Sequence, residues 1–126
     1  ELTARFNFRY STIWNHESLK KRVHEIFDLH DIDYELNWHL SGEPFLTKPG
    51  KLIDSAVKAI SETTGIEPVL STGGGTSDGR FISPAGVDVV EIGPVNASIH
   101  KIDEHVRVDD VIQLTEIYSK ILRLLL

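Results

Sequence analysis

The sequence has 126 residues, of which 40% are hydrophobic and 25% charged, enough to bury a core and far from the compositions of disordered or fibrous chains. A formal net charge of -6 argues against nucleic acid as a partner, and the absence of cysteine removes disulfides, thiolate metal ligands and cysteine nucleophiles together, which fits a reducing, cytoplasmic setting. The longest apolar run, Leu124-Leu125-Leu126, is far short of the roughly 20 residues of a membrane span, so no membrane partner is expected either.

The chain opens on alternation: Leu2, Ala4, Phe6, Phe8 and Tyr10 are interleaved with Thr3, Arg5, Asn7 and Arg9, the pattern of a half-buried strand over 2–10. A start inside such a pattern, with no methionine anywhere, reads as a chain cut from a longer one. Asn15 is the N-cap candidate, and Leu19, Val23, Ile26, Phe27 and His30 recur at helical spacing, predicting a helix over about 16–30. Ile32, Tyr34, Leu36, Trp38 and Leu40 alternate again, predicting a second strand. Two strands and one helix leave sheet edges uncovered, so this β-α-β unit calls for further strands.

The turn-forming Ser41-Gly42-Glu43-Pro44 and Lys48-Pro49-Gly50 mark a module boundary, giving units 1–43 and 44–126. Leu52, Ile53, Ala56, Val57 and Ile60 form the stripe of a helix over about 50–64, which Gly65 ends. Pro68-Val69-Leu70 is a brief strand candidate and Val87–Ile92 a stronger, β-branched one. Asp109 or Asp110 caps a last helix whose Val111, Leu114, Ile117, Tyr118, Ile121, Leu122 and Leu125 keep helical spacing to the end. Alternating helices and strands make the expected fold class α/β.

The chemistry concentrates between the last two strand candidates and just after them. Ser71-Thr-Gly-Gly-Gly-Thr-Ser-Asp-Gly-Arg80 brings bare backbone beside polar side chains, which permits positive φ and close approach of N–H groups to a carboxylate or phosphate. No Gly-Lys-Ser/Thr follows and Ser77 lies in no GxSxG turn, so neither a phosphate-binding P-loop nor a serine nucleophile is indicated. A glycine triplet by itself is more often a plain surface loop; Thr76, Asp78 and Arg80 shift the reading toward an anion cradle. His100 follows the Val87–Ile92 strand in a loop, where an isolated histidine is usually just solvated. His100 and His105 lack HExxH spacing, and no three or four His, Asp and Glu residues show metal spacing. His16, His24, His30 and His39 are taken as solvated or packed, and Trp14, Trp38, Phe45 and Tyr34 as core or interface aromatics.

TGGGTSDGRF, with VVEIGPVNASIHK after it and RFNFRYST and WHLSGEPFLTKPGKL before it, resembles the succinyl-diaminopimelate desuccinylase family across nearly the whole chain. These are bacterial homodimeric metallohydrolases of the two-zinc aminopeptidase-like kind. The resemblance implies that 1–43 is the second part of a ferredoxin-like lid that makes the homodimer, and 44–126 the carboxyl-terminal α/β part of the zinc-bearing catalytic domain. It implies a zinc ligand at His100, succinyl-carboxylate contacts from Gly75 and Thr76, a substrate hydrogen bond from Asn96 near the scissile amide, and a carboxylate partner in Arg9. The family's other metal ligands and its general base lie in motifs this chain lacks, so the chain alone is expected to be inactive. The activity implied is hydrolysis of N-succinyl-LL-2,6-diaminopimelate in lysine biosynthesis. Neighbouring readings are a related deacylase such as an acetylornithine deacetylase, or a non-catalytic self-association module that pairs through exposed strand edges.

Overall fold

Asn15 starts the first helix as its sequence requires. Its Oδ1 accepts from the Ser18 N–H at 2.8 Å while its own N–H donates to Ser18 Oγ at 3.0 Å, a reciprocal cap that satisfies two backbone donors. The helix, α1, runs His16–Leu29. This computed structural model describes residues 2–75, 77–95 and 97–126, and the chain divides into two compact units, Glu1–Leu46 and Thr47–Leu126.

In the first unit α1 buries Val23 and turns His16, His24 and Phe27 toward Tyr34 and Trp38 in the segment that follows it. Phe8 stacks on Trp38 with ring centroids 6.0 Å apart, Phe6 meets Phe8 edge-on at 5.4 Å, and Phe27 meets Tyr34 edge-on at 4.9 Å. Edge-to-face and stacked contacts of this kind add about 0.5–1.5 kcal/mol per pair beyond the area they bury. Tyr34, Leu36 and Trp38 are half-buried while Glu35, Asn37 and His39 are exposed, so the period-2 pattern does sort side chains between a protein face and a wet face.

The second unit rests on two helices. α2 (Lys51–Thr64) and the long terminal helix (Val108–Leu125, α4 below) meet through Ala56, Ala59, Ile117 and Ile121, all buried, with Ile60, Val90, Ile92, Leu124 and Leu125 packed around them. The two alanines let the helix backbones approach, and each buried isoleucine contributes on the order of 1.5–3 kcal/mol. Lys51 Nζ donates to the Leu125 carbonyl at 2.6 Å and Lys120 pairs with Glu62 at 3.3 Å, which ties the start of α2 to the end of α4 and thus makes the pair antiparallel. α2 ends at Gly65, left-handed at φ 71°, whose N–H reaches the Ser61 carbonyl. A four-residue helix, α3 (Gly79–Ile82), and a 3₁₀ turn, Ser83–Ala85, lie between α2 and α4.

The expected α/β class is not what the chain adopts. Among the described residues all regular structure is helical, and 2–10, 32–40, 68–70 and 87–92 carry no regular structure and form no strand ladder. Alternation decides which side chains share a face, but a strand also needs a neighbour to take its N–H and C=O groups. Here side chains take some of them. The Thr47 hydroxyl accepts from the Val89 N–H at 3.1 Å and donates to the Val89 carbonyl, and Tyr118 OH donates to the Ile92 carbonyl at 2.6 Å. The terminal helix starts one residue before Asp109, after Arg107, with no side-chain cap; Asp109 and Asp110 occupy its first turn, where negative charge suits the helix dipole.

Candidate functional site

The glycine stretch sits outside regular structure. Gly73 N–H donates to Ser71 Oγ at 3.0 Å, and a Cβ at Gly73 would lie 3.2 Å from that oxygen. At Gly74 a Cβ would come within 3.8 Å of Glu91 Oε2, whereas around Gly75 there is open space. The left-handed glycines among the described residues are Gly65 and Gly86, so the triplet serves close approach at Gly73 rather than positive φ. Ser77 Oγ accepts from the Gly79 N–H at 3.1 Å and leads into α3, too short to act as a dipole. Arg80 lays its guanidinium over the Phe81 ring, 4.6 Å from the centroid, and its Nε is buried with no acceptor among the described residues.

His100 lies in a loop closed by one side chain. Ser98 Oγ accepts from the His105 N–H at 3.0 Å and donates to the His105 carbonyl at 2.8 Å, while the Ser98 carbonyl accepts from Lys101 N–H at 3.0 Å. Ser98 is buried; His100 is exposed, left-handed at φ 59°, and gives its backbone N–H to Glu104 Oε2 at 3.3 Å. Asp103 is also left-handed, at φ 61°. Non-glycine residues hold that conformation only where the surroundings over-determine it. The His100 ring has no hydrogen-bond partner among the described residues, which leaves its nitrogens available as donors to a cation.

Of the expected site residues, Gly75 and His100 lie in the second unit and Arg9, exposed, in the first. Thr76 and Asn96 lie outside the described residues. Among the described residues no hydrogen bond joins Gly75 to His100, and no three His, Cys, Asp or Glu side chains gather as a metal set. A zinc ion takes three or four protein donors, so His100 fits as one of them, and the described part of this chain does not supply the rest. Two grooves flank the α2–α4 pair, one lined by Glu62, Lys120 and Arg123 among others, the other by Lys51 and Asp54; no expected site residue lines either. Among the described residues no helix is long and apolar enough to cross a membrane.

Sequence reasoning missed two polar clusters. Tyr34 OH donates to Asp28 Oδ1 at 2.8 Å and lies 2.7 Å from His24 Nδ1; with its single proton on the carboxylate bond, the imidazole must be the donor, which places a proton on Nδ1. Partial burial, then the hydrogen bond to Asp28 and its charge, hold the Tyr34 phenol above its usual pKa, and burial followed by Glu43 does the same to Tyr10, whose OH donates to Glu43 Oε2 at 3.1 Å. The other cluster is Ser98 and Glu104 around His100. Ser98 is visible in Asn96-Ala-Ser-Ile-His100, but nothing in the spacing signals that its hydroxyl closes the loop on His105.

Peptidase family M20/M25/M40 matches residues 3–124. The chain is 56% identical over 126 residues, all of it and 34% of the relative's length, to succinyl-diaminopimelate desuccinylase of Thioalkalivibrio sulfidiphilus (strain HL-EbGR7). It is 57% identical over 125 residues to the enzyme of that name from Acinetobacter baumannii (strain AYE), with 99% of this chain and 33% of the relative covered. For that of Marinobacter nauticus (strain ATCC 700491 / DSM 11845 / VT8) the figures are 56% over 122 residues, 97% and 32%. The chain thus spans about a third of the length of the curated relatives it matches.

Proposed function

The chain belongs to peptidase family M20/M25/M40, and on that premise we propose that it is part of a zinc-dependent succinyl-diaminopimelate desuccinylase. The observation that carries this reading is identity of 56–57% along essentially the whole chain to relatives bearing that name. The reaction adds water across the amide of N-succinyl-LL-2,6-diaminopimelate: the C–N bond breaks, the carbonyl carbon takes oxygen as succinate, and the nitrogen leaves with a proton as the free amine of LL-2,6-diaminopimelate.

Zinc, when bound, supplies Lewis-acid polarisation of the amide carbonyl. His100 would be one of its ligands, offered by an exposed imidazole on a loop that Ser98 closes. Gly75 would offer its N–H to a substrate carboxylate, with open space where a Cβ would stand, and Thr76, next in the sequence, would be the matching hydroxyl donor. Asn96 would hydrogen-bond the substrate near the scissile bond, and Arg9 would pair with a substrate carboxylate, where a planar, permanently charged fork outperforms an ammonium. Anchoring both ends of a flexible, multiply charged substrate lowers the entropic cost of bringing its amide to the reacting centre. Homodimeric assembly through residues 1–43 and a cytoplasmic setting complete the proposal.

The test is succinate release from N-succinyl-LL-2,6-diaminopimelate by the zinc-loaded full-length protein, run beside N-acetylornithine. Preference for the succinylated compound is expected. Turnover of N-acetylornithine with none of the succinylated substrate would transfer the chain to another deacylase of the family.

A further inference from the structure

We infer that Ser98 is a positioning residue for His100: its hydroxyl clamps the loop 98–105 and so holds the imidazole in a geometry ready for a metal ion. The inference rests on the reading of His100 as a zinc ligand and adds what that reading does not contain, the reason this exposed side chain is pre-oriented. Three observations converge. The Ser98 hydroxyl is bonded on both sides to one residue, His105, accepting its N–H at 3.0 Å and donating to its carbonyl at 2.8 Å. The Ser98 carbonyl takes the Lys101 N–H at 3.0 Å, so main chain and side chain of one buried residue bracket His100. His100 itself is held left-handed at φ 59°, and its N–H is tied to Glu104 at 3.3 Å.

A free loop would relax a histidine out of that region, where Cβ crowds the carbonyl. The closed loop therefore stores a backbone choice that sets the direction of the Cα–Cβ bond, and with it the reach of the ring nitrogens. A ligand fixed before the metal arrives loses less freedom on binding than one that must be ordered by it. Outer groups that orient a ligand are worth on the order of 10–100-fold in metal affinity, and Ser98 is of that kind although it touches backbone rather than the ring.

The experiment uses the full-length protein with Ser98→Ala, Ser98→Thr and Ser98→Cys, and reads the zinc dissociation constant by chelator competition and the visible spectrum of the cobalt-substituted form. Ser98→Ala is expected to weaken zinc binding about 10- to 100-fold and to shift the cobalt bands. Ser98→Thr, which keeps the hydroxyl, is expected to restore both. If Ser98→Ala does not fold, Ser98→Cys carries the test, because a thiol fills the space but accepts poorly from the His105 N–H. Wild-type affinity and spectrum in Ser98→Ala or Ser98→Cys, beside weakened binding in His100→Ala, would overturn the positioning role and leave the ligand reading standing. Wild-type zinc affinity in His100→Ala would remove the ligand reading, and the inference with it.

Discussion

The hydroxyl of Thr47 meets both polar backbone groups of Val89, accepting the N–H at 3.1 Å and donating to the carbonyl. One side chain thus does for Val89 what a neighbouring strand would do for a run of residues, while Val90 and Ile92 pack against the α2–α4 core. Replacing Thr47 with valine keeps the volume and leaves both groups without their partner, at a cost of about 1–3 kcal/mol for part-buried polar groups. Urea denaturation is the measurement; an unchanged midpoint would mean that water replaces the hydroxyl freely.

Ala59 has no exposed surface, at the place where α2 meets Ile117 and Ile121. A leucine there must push the helices apart or adopt a poor rotamer, so Ala59→Leu is expected to lose about 1–3 kcal/mol, against little change for a leucine at exposed Lys58. Equal thermal midpoints for the two variants would contradict the packing described.

The reciprocal cap of α1 depends on Asn15 and Ser18 together. Asn15→Ala should cost about 0.5–2 kcal/mol and speed amide exchange at Ser18 and its neighbours in the first turn, leaving α4 untouched. Uniform acceleration through both units would point to global loss of structure instead.

Tyr34 supplies a pH dependence. Its folded pKa is raised above the ordinary 10.0 by burial first and by the bond to Asp28 second. The neutral phenol is the form the fold favours, so the stabilisation is fully present below pH 10.0 and is lost as pH rises through the higher folded value. Absorbance in the phenolate band should show two late-titrating tyrosines, Tyr10 and Tyr34, and Tyr34→Phe is expected to remove one of them along with its share of the alkaline loss of stability. If the tyrosine removed by Tyr34→Phe is one that titrates at the ordinary 10.0, the shift is refuted.

Arg9 tests the substrate reading in the full-length protein. On the proposed function, Arg9→Ala would remove a charged hydrogen bond worth about 1.5–3 kcal/mol, an order of 10- to 100-fold in kcat/KM for the succinylated substrate, and Arg9→Lys would restore it only in part. Unchanged kcat/KM in the alanine variant would take Arg9 out of the binding machinery.

The candidate site was legible as residue types and only in part as geometry. His100 and the glycine run stand out in the sequence, and so does their kinship to a family. That Gly73 is the tight glycine, that Ser98 locks His100 through His105, and that Tyr34 joins Asp28 to His24 could not be read, because each depends on a backbone path that no spacing rule encodes.

By itself the sequence determined the three long helices almost to the residue. Asn15 and Gly65 act on their own neighbours, the apolar stripes recur every three or four positions, and the bonds that make a helix run from each residue to the fourth before it. Tertiary structure decided what became of the alternating segments. A residue outside a helix must find its hydrogen-bond partners elsewhere, and for the Val89 N–H and carbonyl and the Ile92 carbonyl those partners are the hydroxyls of Thr47 and Tyr118 rather than a neighbouring strand, a choice made by distant residues and therefore invisible in alternation.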